Sequence, residues 1–270
     1  MLAVRIVGGM GNQLFLYALY KYLKSCGKQV KLDLDFYRNQ DLTIVDKREY
    51  VLEKYFNVGA DYLNAAERIL IKLIRKAGLY NHIKYRDKGK GYEEEVINVD
   101  WKILEGYWPT FLFAERVKKD LLNDLSPKEE YMDKGLIDEI RSCNSVSVHV
   151  RRGDFVRLGT DLPVSYYRKA MDYIKGNTEK PVFYCFSDDI EYCKHMFGDT
   201  VRYVTGNSEA EDFWSMSICR HNIVANSTFS TWAAWINQNE DKVVVHPGKW
   251  HGKESTDVDE RIWPEQWVCL

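Results

Sequence analysis

The chain has 270 residues, enough for one large domain or two of ordinary size. With 45% apolar and 29% charged residues it reads as a folded globular protein and not a disordered one. The formal net charge is −2, which gives no reason to expect nucleic acid as a partner; any basic site must be local.

Residues 2–7 form a short apolar, β-branched run that predicts a strand. Gly8 to Gln13 then reads as a glycine-rich turn, and residues 14–26 as a helix, with Leu14, Tyr17 and Ala18 at helical spacing and Gly27 suited to its C′ position. A second strand is expected over 30–34, and strand, helix and strand in that order argue for a parallel sheet. The first residues show neither a cleavage site nor a run of about 18 apolar residues, so the expectation is a cytoplasmic protein without a membrane span. The six cysteines lack both CxxC and zinc spacing and read as reduced thiols.

Residues 61–100 are more polar. They predict an amphipathic helix over 64–75, a basic exposed loop over 84–91 and a strand over 101–105. The basic loop reads as solvated, with peripheral contact at the inner membrane as the alternative. Ser126 and Pro127, followed by Lys128, Glu129 and Glu130, read as a helix start, and the domain boundary is placed there, giving 1–125 and 126–270. The second half alternates strands (145–150, 181–186, 201–204, 222–225, 243–246) with helices (165–175, 191–197, 210–219, 229–237) and closes in a tail rich in Pro and Trp. Two such halves predict an α/β protein of two facing Rossmann-like domains on parallel sheets.

Four segments carry chemistry. In His149-Val150-Arg151-Arg152-Gly153-Asp154, two adjacent arginines follow a buried strand, where ligands of open α/β sheets sit. Guanidinium forks bind phosphate in bidentate fashion and stabilise a departing diphosphate; the alternative is an internal pair with Asp154. In Asn226-Ser227-Thr228-Phe229, a strand passes through hydroxyl residues into a helix. That is either an anion site or ordinary N-capping. Ser187-Asp188-Asp189 lies at another strand end, where Asp188 could accept N1–H and N2–H of guanine or the acids could simply cap the next helix. Gly8, Gly9 and Gly11 let backbone approach a ligand closely, with Asn12 as a donor to a sugar or phosphate oxygen; the alternative is a tight strand–helix turn. The segment lacks GxGxxG and a Walker lysine, which argues against a nicotinamide site. Asp33-Leu34-Asp35 matches the short DxD pattern of metal-dependent glycosyltransferases, but alternation at a strand end produces the same pattern, and no metal is expected.

Together these blocks resemble glycosyltransferase family 11, the α-1,2-fucosyltransferases. His149, Arg151, Arg152 and Asp154 match HxRRxD, the opening Gly-Gly-Met-Gly-Asn-Gln-Leu-Phe is similar to GGxGNQxF, and residues 187–189 and 226–236 match two further blocks in order. The resemblance spans nearly the whole chain and is weakest over 55–100. It implies a GT-B fold, inversion at the anomeric carbon, GDP-fucose as donor substrate, a galactoside acceptor, and no metal or other cofactor. The C-terminal half would bind the donor, and the N-terminal half would present the acceptor with Asn12 reaching across the cleft. Arg151 and Arg152 would hold the β-phosphate with Ser227 and Thr228, beside Asn226 and Phe229. His149 would orient the loop or touch ribose. Asp154 is the first candidate for the general base, with Asp33 or Asp35 second. Transfer to another acceptor (α-1,6 or protein O-fucosylation) and a non-catalytic sugar-nucleotide or glycan-binding module are the rival readings.

Overall fold

A computed structural model of the chain describes residues 1–38, 48–89, 92, 94–250 and 262–270. The chain divides into two compact units, Met1–Ser126 and Pro127–Thr256, and the second takes in the C-terminal Trp263–Leu270.

The first unit runs β1 (Leu2–Arg5), α1 (Met10–Ser25), β2 (Val30–Asp33), α2 (Asp35–Arg38), α3 (Leu52–Tyr55), α4 (Ala65–Lys76), α5 (Tyr80–Ile83), β3 (Lys84–Arg86), β4 (Ile103–Glu105), α6 (Phe111–Arg116) and α7 (Lys118–Asp124). Its four strands lie in the order β2-β1-β4-β3, all parallel. Leu14, Phe15, Leu16, Tyr17, Ala18 and Leu19 of α1 are all buried, so this helix is apolar almost all round. The helix begins earlier than the sequence suggests. Gln13 N bonds to Gly9 O, so Met10 to Gln13 form its first turn and the connection from β1 shrinks to residues 6–9. At its far end Gly27 takes φ +78°, and the N–H groups of Gly27 and Lys28 close onto Lys24 O and Leu23 O, which satisfies carbonyls the helix leaves open. The basic stretch at 84–91 is not all loop: Lys84 to Arg86 form a short edge strand, with Lys84 opposite Ile103.

The second unit runs α8 (Lys134–Arg141), β5 (Ser145–Val150), α9 (Gly153–Leu158), α10 (Val164–Asn177), β6 (Val182–Ser187), α11 (Ile190–Phe197), β7 (Arg202–Tyr203), α12 (Glu209–Ile218), β8 (His221–Ile223), α13 (Thr228–Ile236), β9 (Val244–His246) and β10 (Val268–Cys269). The expected helix start at Ser126 and Pro127 yields only a single 3-10 turn, Glu129–Tyr131. The helix proper begins after Asp133, whose side chain accepts from Leu136 N. The Trp-rich tail supplies a strand that periodicity did not reveal: β10 pairs with β9.

All six strands are parallel, in the order β10-β9-β8-β5-β6-β7. From β5 the chain moves out through β6 and β7, returns to β8 on the other side, and moves out again. The order therefore reverses between β5 and β8, and a crevice opens beyond their carboxyl ends. Every residue of β5 is buried, with Val146, Val148 and Val150 packed among Met171, Ile174, Phe183 and Cys185. The other face is pinned by polar groups. Asn222 donates to Ser147 Oγ and Met216 O, both at 2.8 Å, and accepts from Asn237 Nδ2 at 2.8 Å. No helix among the described residues is long and apolar enough to cross a membrane, and all six cysteines are free.

Replacing Asn222 by Ala strips buried partners from Ser147, Met216 and Asn237 at once. The expected loss is about 2–4 kcal/mol of unfolding free energy by urea titration, and a loss below about 1 kcal/mol would mean the pin is dispensable.

Candidate functional site

The buried strand β5 delivers Arg151 and Arg152 to its carboxyl end, where neither can shed its charge. Arg151 Nε and Nη2 donate to Asp154 Oδ1 at 3.1 and 2.8 Å, and Nη1 lies 3.0 Å from Asp188 Oδ2. Arg152 Nη1 meets Asp161 Oδ2 at 2.9 Å and Nε meets Asp189 Oδ2 at 3.3 Å. Its guanidinium lies over the Tyr192 ring, 3.5 Å from the centroid. The backbone N–H of Arg152 donates to Asp188 Oδ1 at 2.8 Å. Four carboxylates thus surround two guanidinium groups. The internal Arg151–Asp154 pair is present, and both oxygens of Asp188 serve the arginine loop. Gly153 is what lets Asp188 come this close: a Cβ there would sit 2.7 Å from Asp188 Oδ2. Asp189 caps α11 by accepting from Tyr192 N, and its own N–H is held by Ser187 Oγ.

Beside this loop, His149 is buried, with its ring 5.6 Å from that of Phe229. Burial first, and then the Arg151 charge, push its pKa down to about 3, so the imidazole is neutral. Its Nδ1 is buried without a hydrogen-bond partner among the described residues. Across the switch point, Asn226 Nδ2 ties down the carbonyls of Thr160 and Trp250, both at 2.9 Å, while its Oδ1 is buried with no partner there. Ser227 holds the N-cap position of α13, yet its side chain makes no capping bond. The first N–H groups of a nine-residue helix, at Thr228 and Phe229, therefore open at the end of β8 with the positive end of the helix dipole. The three sequence blocks of this unit are thus brought together at the ends of β5, β6 and β8.

Sequence reasoning missed Asp212. Acids in a first helical turn are ordinary, and the Ser208/Glu211 capping box on α12 explains that run without function. Yet Asp212 Oδ1 and Asn207 Nδ2 are buried without hydrogen-bond partners among the described residues. Burial first, and then the charges of Glu211 and Glu209, raise the Asp212 carboxyl to about 7; the nearby Asn207 amide, without the geometry of a full hydrogen bond, opposes the shift only in part. The next residue along α12, Phe213, packs on Phe229 at 5.5 Å, and the Phe229 ring in turn lies 5.6 Å from that of His149, so α12 runs beside the start of α13.

In the first unit, the connection after β1 also lies at a reversal of strand order, between β1 and β4. Gly8 takes φ +77°, and a Cβ there would meet Asn12 Nδ2 at 2.7 Å, so glycine allows Asn12 to fold back over the turn. Gly9 caps α1 with no side-chain bond, which leaves the amides of a 16-residue helix open, and Gly11 is buried in the first turn. Gln13 is structural: its amide donates to Gly8 O and Glu49 O and accepts from Val51 N. Arg48 lies beside Gly9, a neighbour that sequence spacing did not suggest. Of the second-choice bases, Asp33 is spent. It is 1% exposed, one oxygen receives Arg5 Nε and Nη2 at 2.9 and 2.8 Å, and the other receives Asp35 N. Asp35 lies 3.7 Å from Arg75. Asp33 of the DxD pattern is thus held in a strand-end ion pair with Arg5, while Asp35 faces Arg75.

A family model described as glycosyl transferase family 11 matches residues 100–270. An alpha-1,2-colitosyltransferase of Escherichia coli is 30% identical, over 98% of this chain and 97% of that protein. The O-antigen biosynthesis glycosyltransferase WbnK of Escherichia coli is 33% identical, over 97% and 98%. The chain belongs to glycosyltransferase family 11. A bovine galactoside 2-alpha-L-fucosyltransferase, SEC1, aligns at 28% identity over 49% of this chain and 41% of its own length. The NodZ alpha-1,6-fucosyltransferase, in a crystal soaked with GDP-fucose, superposes with a TM-score of 0.54 at 13% identity, covering 87% of this chain and 92% of that one. The fold of this family 11 glycosyltransferase is thus α/β and of GT-B type, with two units each built on a parallel sheet.

In this transferase, Gly153→Ala drives a methyl group against Asp188 and loosens Arg151 and the loop N–H together. A fall of at least tenfold in kcat/KM is expected with a Tm change of only a few degrees; unchanged kinetics would show that the Asp188 contacts are not needed.

Proposed function

We propose that this glycosyltransferase moves L-fucose from GDP-β-L-fucose to the 2-hydroxyl of a terminal galactoside, with inversion. The observation that carries the reading is the arginine pair at the β5/β8 reversal, next to the uncapped N-terminus of α13. That is a ready site for a diphosphate leaving group. The acceptor oxygen attacks the anomeric carbon from the side opposite GDP. The bond to the β-phosphate breaks and an α-linkage forms. Arg151 and Arg152, with Ser227, Thr228 and the amide of Phe229, take up the charge that develops on the phosphate oxygens. Their carboxylate partners hold the guanidinium groups in place until the diphosphate arrives. Asp154 stays the candidate base, and a neutral His149 positions the loop or ribose rather than acting as an imidazolium acid. Asn12 and the open amides of α1 offer donors to a sugar or phosphate oxygen.

Because Asp188 is engaged by the loop, guanine falls to Asp212 and Asn207. An ionised carboxylate accepts N1–H and N2–H, and the Asn207 amide donates to O6. The Asp212 carboxyl must lose its proton to do this. Donor KM should therefore rise as pH falls below about 7 and level off above it. Asp212→Asn should raise donor KM at least tenfold and flatten that profile; a variant with the parent's profile would remove Asp212 from the site.

A second reading concerns the donor sugar alone. Colitose is fucose without its 3-hydroxyl, and a relative aligned over the whole chain bears the name colitosyltransferase. A site that hydrogen-bonds the 3-hydroxyl rejects the deoxy sugar strongly, whereas one that does not bond it discriminates weakly. The test incubates the purified protein with β-galactosides and EDTA, supplying GDP-fucose or its 3-deoxy counterpart, and follows GDP release and product linkage. An α-1,2-fucosyl product formed faster than the deoxy product supports the proposal; preference for the deoxy donor replaces fucose by colitose; no GDP release with either donor contradicts transfer. Arg151→Ala should lower kcat/KM on the order of a hundredfold or more, and near-normal turnover in that variant would break the clamp assignment.

A further inference from the structure

Helix α4 buries one face and leaves an apolar stripe on the other. Ile71 packs with Ala3, Leu63 and Ile103. On the opposite side Ile69, Leu70 and Leu73 are 59%, 52% and 57% exposed, and Leu79, just beyond the helix, is 52% exposed. The spacing 66, 69, 70, 73 and 77, with alanine at both ends, makes these one continuous band along the helix and not scattered exposure. Four large aliphatic side chains standing together in water call for a partner.

Charge says which partner. Lys72 and Lys76 flank the band on one side with Arg68 behind them, and none of the three meets a carboxylate among the described residues. Glu67, the one acid of α4, is turned to the N-cap and to Lys31, so it does not offset them. Residues 65–89 carry seven Lys and Arg against two acids, in a chain whose formal net charge is −2. A second copy of this chain would bring the same positive charge against itself. An apolar band bordered by lysines is instead the pattern of a helix that lies in the headgroup region of an anionic bilayer. We propose that the α4 face, with Ile69, Leu70, Leu73 and Leu79 inserted and Lys72 and Lys76 at the headgroups, docks this glycosyltransferase on an anionic lipid surface. The helix is long enough and well enough capped to form such a contact without rearrangement: 12 residues, with both bonds of the Asn64/Glu67 capping box made.

The test needs no transfer reaction, so it stands apart from the donor and acceptor assignments. The full chain is sedimented with sucrose-loaded vesicles of phosphatidylcholine alone, or of phosphatidylcholine mixed with phosphatidylglycerol. Binding to the mixed vesicles is expected, weakening with added salt, and little binding to the neutral ones. Leu70→Ser with Leu73→Ser should cut partitioning at least tenfold. Lys72→Gln and Lys76→Gln should cost about fivefold each. Leu112→Ser, an exposed leucine on another helix, should change nothing. Circular dichroism that matches the parent certifies that each variant is folded. Failure of the folded parent to bind anionic vesicles, or binding that ignores the α4 substitutions, overturns the proposal. So does a dimer in light scattering that Leu70→Ser with Leu73→Ser dissolves, which would assign the face to a second copy.

Discussion

Two guanidinium groups fixed at the end of a buried strand impose the main constraint on the second unit. Arginine cannot be neutralised by burial, so each group must meet anions at all times. Asp154, Asp161, Asp188 and Asp189 provide them, drawn from α9, from the segment before α10 and from the turn after β6. Glycine at 153 lets Asp188 reach the arginine loop, because a side chain there would push the Asp188 carboxylate aside. Tyr192 supplies a ring against the face of Arg152 that hydrogen bonds cannot serve. Because these ion pairs are partly exposed, their value is geometric more than energetic: they hold charged forks in a fixed place at little net cost.

Topology determines where that place is. The order β10-β9-β8-β5-β6-β7 reverses beside β5, so the loops after β5 and β8 diverge and leave room above the sheet. Into that room β8 feeds α13, whose first turn no side chain caps. Asn222 and Asn237 lock β8 to the ends of α12 and α13 beneath it, so the open amides stand on a rigid base. The first unit repeats the principle on a smaller scale, with Gly8 and Gly9 at the reversal beside β1 and Gln13 binding the turn to the backbone near Glu49 and Val51.

What the sequence made legible follows from the same physics. β5, β6 and α1 are long apolar runs and could be read directly, as could the arginine pair at the end of β5. β3 could not, because Lys84, Tyr85 and Arg86 carry one apolar side chain among two charges and pair along a single edge. β10 is two residues long and depends on β9 for its conformation. The helix start at Asp133 was obscured by Ser126 and Pro127, which imitate a cap without being followed by a helix. The contacts of Asp188 with the arginine loop and the burial of the Asp212 carboxyl are tertiary facts: they arise from residues brought together by the fold, and local pattern is silent about such neighbours.

The central claim is that Arg151 and Arg152 form a diphosphate clamp, and comparing GDP with GMP by isothermal titration calorimetry tests it most directly. Both share guanine and ribose, so they differ only in the phosphate the clamp is meant to hold. GDP is expected to bind on the order of a hundredfold more tightly than GMP, and Arg152→Ala to remove most of that difference while leaving GMP affinity nearly unchanged. Equal affinities for GDP and GMP, or a GDP preference that survives Arg152→Ala and Arg151→Ala, would contradict it.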